Sequence, residues 1–271
     1  MLFISTRKEL DNEDDLGPTT YWDIPIVNQV ELGEPAGRQE LSLADLRDSV
    51  TGKSVLVLVH GFNNEFEDII RAYGIIDSQV QAHLSEWYDE VIGFTWPGGD
   101  SPLDWYAPKR RAGVVGPRLA QFLQHFAGEA ATIDLMSHSL GARVVLGALN
   151  LLPADSVRAN FMTASAVDNE VIEPHQKYFA AVRTGATESI VFHTKNDSVL
   201  KSAYRLAEWD NPLGLFGPEN PAAVIEHLSN VTVGNCKNVI SGHGEYKTSD
   251  SIYQFINQWM MGNIDTQFAT L

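Results

Sequence analysis

Residues 137–141 read Ser-His-Ser-Leu-Gly. An apolar run over 131–136 precedes them, and a helix-forming stretch over 142–149 follows. Strand, sharp turn with a serine at its tip, then helix is an arrangement that lifts a hydroxyl clear of the sheet edge. It also aims a helix N-terminus at the place where negative charge would develop. Ser139 is therefore the candidate nucleophile. Gly141 supplies the small residue needed two positions later, while Ser137 stands where the usual pattern has glycine. Alone the string is a weak signal; the strand before it and the helix after it give it weight.

A serine at such a turn needs a base and an acid, in the chain order Ser, acid, His. His243 lies in Ser241-Gly242-His243-Gly244-Glu245, between a strand beginning at Val231 and the last helix. Its flanking glycines let the imidazole swing over the serine, so His243 is the expected base. His175 also lies downstream; His193 falls in a strand and His227 in a helix, and both of these read as structural. Two aspartates compete for the acid. Asp197 follows the strand ending at Thr194, the commoner arrangement, and is the expected acid; Asp168, after a strand ending near Ala166, is the alternative. The backbone N–H groups of Phe62, in His60-Gly61-Phe62-Asn63-Asn64, and of Leu140 would face the oxyanion. Losing one such donor costs on the order of 3 kcal/mol. His138 reads as packed beside the site rather than catalytic.

The elements that must position these residues alternate from Ser54 onward. Ser54–Val59 is a continuous Val/Leu run, as in a parallel strand buried on both faces. Helix is expected over 41–47, 65–84 (capped by Asn64), 109–126, 174–183, 198–209 and 249–258, the last capped by Ser249. Strands are expected over 90–96, 159–166 and 189–194, the last strand beginning at Val231. Residues 2–4 and 21–27 read as an N-terminal strand pair. The pattern predicts an α/β fold, a mostly parallel central sheet with helices on both faces and N-terminal antiparallel strands. The stretch between Asp168 and Ser189 is too short for a large cap domain. Loops 97–108, with Trp105 and Tyr106, and 209–221, with Leu213, Leu215 and Phe216, are the expected pocket walls.

The 271 residues show no linker, repeat or shift in composition. They read as a single domain over 1–271, its core at 54–260. The net charge of −16 argues against nucleic acid or an anionic membrane as partner, because phosphate binding needs clustered Lys and Arg. Lys109-Arg110-Arg111 reads as a solvated helix start, and Asn12-Glu13-Asp14-Asp15 as an exposed acidic loop. Cys236 is the sole cysteine, which excludes intrachain disulfides. No segment resembles a signal peptide, and no apolar run reaches the roughly 18 residues of a membrane span. A cytoplasmic protein without cofactor or metal, acting on a small-molecule ester, is expected; oligomeric state is beyond the sequence.

Taken together, Val57-Leu58-Val59-His60-Gly61-Phe62-Asn63-Asn64, Phe94-Thr95-Trp96-Pro97, the 137–144 segment, Asn196-Asp197 and Gly242-His243 resemble the α/β-hydrolase superfamily. More narrowly, they resemble a bacterial α/β-hydrolase family catalogued as a domain of unknown function. The likeness spans roughly residues 54–260 and implies a serine hydrolase with Ser139, Asp197 and His243 as triad. It implies no substrate. The expected reaction is carboxylic-ester hydrolysis through an acyl-enzyme. Thioester, amide or peptide cleavage by the same triad is the alternative, and a non-catalytic binding relative is a further one.

Overall fold

The computed structural model describes residues 1–24, 37–62, 64–99, 105–126 and 128–271. Among them, ten strands form one sheet. In chain order the elements are β1 (Leu2–Arg7), β2 (Leu16–Asp23), β3 (Gln39–Leu41), α1 (Leu43–Val50), β4 (Ser54–Val59), α2 (Phe66–His83), β5 (Glu90–Thr95), α3 (Tyr106–Phe126), β6 (Thr132–His138), α4 (Gly141–Leu149), β7 (Val157–Thr163), β8 (Ala186–His193), α5 (Arg205–Glu208), α6 (Leu213–Phe216), α7 (Pro221–His227), β9 (Val231–Asn235), α8 (Asp250–Met260) and β10 (Phe268–Thr270).

The strand order is β10-β9-β8-β7-β6-β4-β5-β1-β2-β3. From β1 to β10 across the sheet every pairing is parallel, and β2 and β3 add an antiparallel edge. Val55 to Val59 are all buried, as the uninterrupted apolar run requires of a strand covered on both faces. On β5, Gly93 lets two aromatic rings lie flat on the strand, since a Cβ there would stand 2.7 Å from Phe3 and Tyr73. The Tyr73 hydroxyl lies between the carbonyls of Leu58 (3.0 Å) and Phe94 (2.8 Å), tying α2 to the carboxyl ends of β4 and β5.

Several expectations are corrected. Asn64 does not cap α2: its amide donates to the Phe62 carbonyl (2.8 Å), and Glu65 is the N-cap without a side-chain bond. Ser249 sits at the N-cap of α8, also without such a bond. The helix expected over 174–183 does not form. His175 takes a positive φ of 67°, and turns lead to a π-helical turn at Ala181–Gly185. β7 stops at Thr163 because Ala164, at φ 48°, turns the chain away. β9 is not the last strand: three residues near the C-terminus add β10, a run too short to carry a periodicity. Residues 25–27 of the expected N-terminal strand lie outside the described residues. Ser42 sets the start of α1 by a reciprocal cap with Asp45 (3.1 and 3.0 Å).

Candidate active site

Ser139 sits at the junction of β6 and α4 with φ 55°. This left-handed conformation costs a non-glycine residue on the order of 1–3 kcal/mol and persists only where neighbours enforce it. Here the chain following β7 does so: Ser139 N donates to Thr163 O and Ala166 N donates to Ser139 O, both at 3.0 Å. The flanking glycines have direct steric reasons. A Cβ at Gly141 would overlap the carbonyls of Val59 and His60, and one at Gly61 would stand 2.8 Å from the Ser139 Cβ. Ser137 is fully buried within β6, in ordinary strand conformation, so a side chain fits there; its Oγ has no protein partner.

Of the two competing aspartates, Asp197 meets the histidine. The His243 Nδ1 lies 2.7 Å from Asp197 Oδ2, and the other oxygen of this fully buried carboxylate accepts the Leu200 N–H (2.9 Å). Asp168 instead accepts the Tyr204 hydroxyl at 2.5 Å and bridges to Pro212. His193 ends β8, and burial lowers its pKa to about 4; His227 ends α7.

His138, immediately before the serine, does more than fill space. Its Nε2–H donates to the His243 carbonyl (2.8 Å), and the two rings meet edge to face at 4.6 Å. Burial, followed by the neighbouring imidazole, pushes the His138 pKa down to about 3, so it is neutral at ordinary pH. It thus fastens the glycine-flanked His243 loop to the strand that ends beside Ser139. The sequence offered no signal for this bond, because it joins residues 105 positions apart.

On the opposite side, His60 is buried and neutral. Burial and then the Arg7 charge hold its pKa well below the ordinary histidine range. Nδ1–H donates to Gly61 O (2.9 Å), and Nε2 accepts the Trp96 N–H (3.1 Å). The Trp96 indole donates to His60 O (2.9 Å) and stacks on the imidazole at 5.6 Å. This explains why the Phe94-Thr95-Trp96-Pro97 segment accompanies the His-Gly loop. The bond to Gly61 O orients the peptide whose other edge carries the Phe62 N–H. Among the described residues, no backbone hydrogen bond takes up the N–H of Phe62 or Leu140. The buried Arg7 guanidinium of β1 adds a bond to Asn64 O (3.1 Å) and faces Glu13 at 3.6 Å. Asn63 lies outside the described residues.

Ser139 and His243 both line a cavity of about 760 Å³, within the range of sites that enclose drug-sized ligands. α2 and α8 supply one wall, with Ile69, Ile76 and Ile252; Phe62, Trp105, Tyr106, Val199 and Leu206 supply the other. The expected wall at 209–221 is not there. Leu213 and Leu215 are buried in the core, and Gly214 packs against the backbone of Ala164 and Ser165. Residues 199–207 take that place, tied to the start of α3 through Glu208, which engages Lys109 and the Trp105 indole. Of the loop expected at 97–108, Trp105 and Tyr106 line the cavity, and 100–104 lie outside the described residues. Among the described residues, no helix is long and apolar enough to cross a membrane.

The pattern of a family described as alpha/beta hydrolase of unknown function (DUF900) matches residues 37–258. No curated protein matches the chain. Among solved structures, one of the metagenome-derived lipolytic enzymes LipS and LipT is 10% identical, covering 79% of this chain and 94% of its own, with TM-score 0.44. A thermophilic esterase from the Planctomycetes species Thermogutta terrifontis is 9% identical, covering 94% and 88%, with TM-score 0.45. Carboxyl esterase 2 from the mycorrhizal fungus Tuber melanosporum is 9% identical, covering 93% and 75%, with TM-score 0.37.

Proposed function

The chain belongs to the family of alpha/beta hydrolases of unknown function, and from that premise we propose that it hydrolyses carboxylic esters of small molecules through an acyl-enzyme on Ser139. The observation that carries this reading is the 2.7 Å pairing of His243 with a buried Asp197, beside the cavity that Ser139 also lines.

In this reading, Asp197 holds the Nδ1–H of His243 and leaves Nε2 as the base. The Ser139 Oγ bonds to the ester carbon as its proton passes to Nε2. The carbonyl oxygen becomes an oxyanion held by the N–H groups of Phe62 and Leu140. The carbon–alkoxy bond then breaks, and the imidazolium gives its proton to the departing alcohol. Water attacks the acyl-enzyme, losing a proton to the same nitrogen; the carboxylic acid leaves and Ser139 recovers its hydrogen. Asp197 stabilises the imidazolium and does not itself take the proton.

A fluorophosphonate probe tests the nucleophile. The expected result is a single mass adduct mapping to Ser139, together with turnover of short-chain para-nitrophenyl esters that Ser139→Ala abolishes. An unlabelled Ser139 in folded protein overturns the proposal.

A further inference from the structure

Among the described residues, the cavity lining includes His243 and a single lysine, Lys247, and no aspartate or glutamate, in a chain with 35 acidic residues and a net charge of −16. Lys247 lies on the 3₁₀ turn Glu245–Thr248, just after the base loop. Its backbone is anchored: Lys247 O accepts the Tyr253 hydroxyl (3.4 Å), and Thr248 O accepts the Gln79 amide (3.4 Å). Lys247 is partly buried as a residue, and its side chain has no ion pair or hydrogen bond among the described residues. The carboxylates near it in the chain are committed elsewhere. Glu245 takes the Ser241 N–H (2.7 Å) and hydroxyl (2.6 Å), Asp250 faces His83 at 3.4 Å, and Asp197 holds His243.

A cation on a largely apolar wall, with the acids nearest it in the chain engaged, has no counter-charge among the described residues, which an incoming anion could supply. Resting on the hydrolase reading of the same cavity, we infer that Lys247 is a substrate-binding residue that receives a free carboxylate carried by the ester. A single ammonium is a one-unit point charge, and among the described residues no arginine lines the cavity to form the two-pronged contact that suits a phosphate dianion. The described lining carries no carboxylate to repel such a substrate, and its apolar side chains take the carbon chain between ester and carboxylate.

The test uses full-length Ser139→Ala protein, which holds esters intact, and calorimetry on two matched pairs. One pair is para-nitrophenyl pentanoate and mono-para-nitrophenyl adipate, which places the carboxylate on the acyl side. The other is phenyl pentanoate and para-carboxyphenyl pentanoate, which places it on the alcohol side. In one pair the carboxylate-bearing ester binds about fivefold tighter, as expected of one partly exposed ion pair. Added Lys247→Met brings that ratio to about one, Lys247→Arg keeps it, and rising salt shrinks it. No preference in either pair, or a preference that survives Lys247→Met, overturns the inference. Turnover of the same esters by the unmutated chain reads hydrolysis separately. Preference without turnover leaves the Lys247 site standing and overturns ester hydrolysis; turnover without preference does the reverse.

Discussion

Asp134 and Asp197 are both fully buried aspartates, one inside a strand and one beyond a strand end, yet their surroundings differ. Asp134, inside β6, is saturated. Arg158 approaches it through Nε (3.1 Å) and Nη2 (2.5 Å), the Tyr88 hydroxyl lies at 2.6 Å, and the Ala159 N–H at 2.8 Å. Its partners include a permanent cation, and the cluster joins β6 to β7. Asp197, beyond the carboxyl end of β8, has one backbone donor and one imidazole that reaches the cavity. Burial alone therefore does not single out the carboxylate of the proposed triad. What distinguishes Asp197 is a partner able to gain and lose a proton at the cavity wall.

The sharpest way to break this contrast is to remove each charge in turn. Asp197→Asn is expected to lower kcat by about 10⁴-fold, because the amide favours the wrong imidazole tautomer, with little change in melting temperature. Asp168→Asn, by contrast, leaves the rate within a few-fold; a larger loss there than at Asp197 in steady-state assays would reassign the acid. Asp134→Asn should behave oppositely. Leaving Arg158 without its partner costs about 3 kcal/mol, a fall of roughly 6–12 °C in calorimetry, at unchanged activity per folded molecule.

A smaller effect sharpens the account of the base loop. His138→Phe removes the donor to His243 O and is expected to lower kcat about tenfold with KM nearly held, since positioning rather than binding is lost. His138→Gln keeps a donor and should recover part of the rate. Equal kcat in all three proteins would leave His138 as packing only.

A further contrast concerns acid. His138 and His193 have folded pKa values lowered by burial to about 3 and about 4, and His60 is held well below the usual range. Between the unfolded value near 6.5 and those folded values, the unfolded chain binds more protons. Their contribution to stability is therefore present above pH 6.5 and is lost as pH falls toward about 3. Melting temperature measured across that interval should fall, and less steeply in His138→Gln; identical slopes would remove His138 from this account.

Much of the arrangement was legible because it is local. The run at 54–59 and the Ser-x-Gly turn depend on neighbours in sequence, and the sheet takes its direction from the strand–helix alternation. The π-helical wall at 200–204 was legible as helix but not as a cavity wall, because its pattern says nothing about which surface it faces. The burial of Leu213 and Leu215 escaped notice for the same reason: apolar loop residues look alike whether they line a cavity or fill a core.

The sequence alone determined the parallel α/β architecture and the short set of groups able to serve Ser139, because periodicity, turn chemistry and chain order are properties of neighbours. Only the tertiary structure put Asp197, and not Asp168, against His243. It alone gave His138 its bond to the His243 loop, sent 199–207 rather than 209–221 to the cavity, and left Lys247 without a counter-charge among the described residues. Each of those outcomes depends on distances between residues far apart in the chain, which are set by how the loops at the strand ends pack against one another.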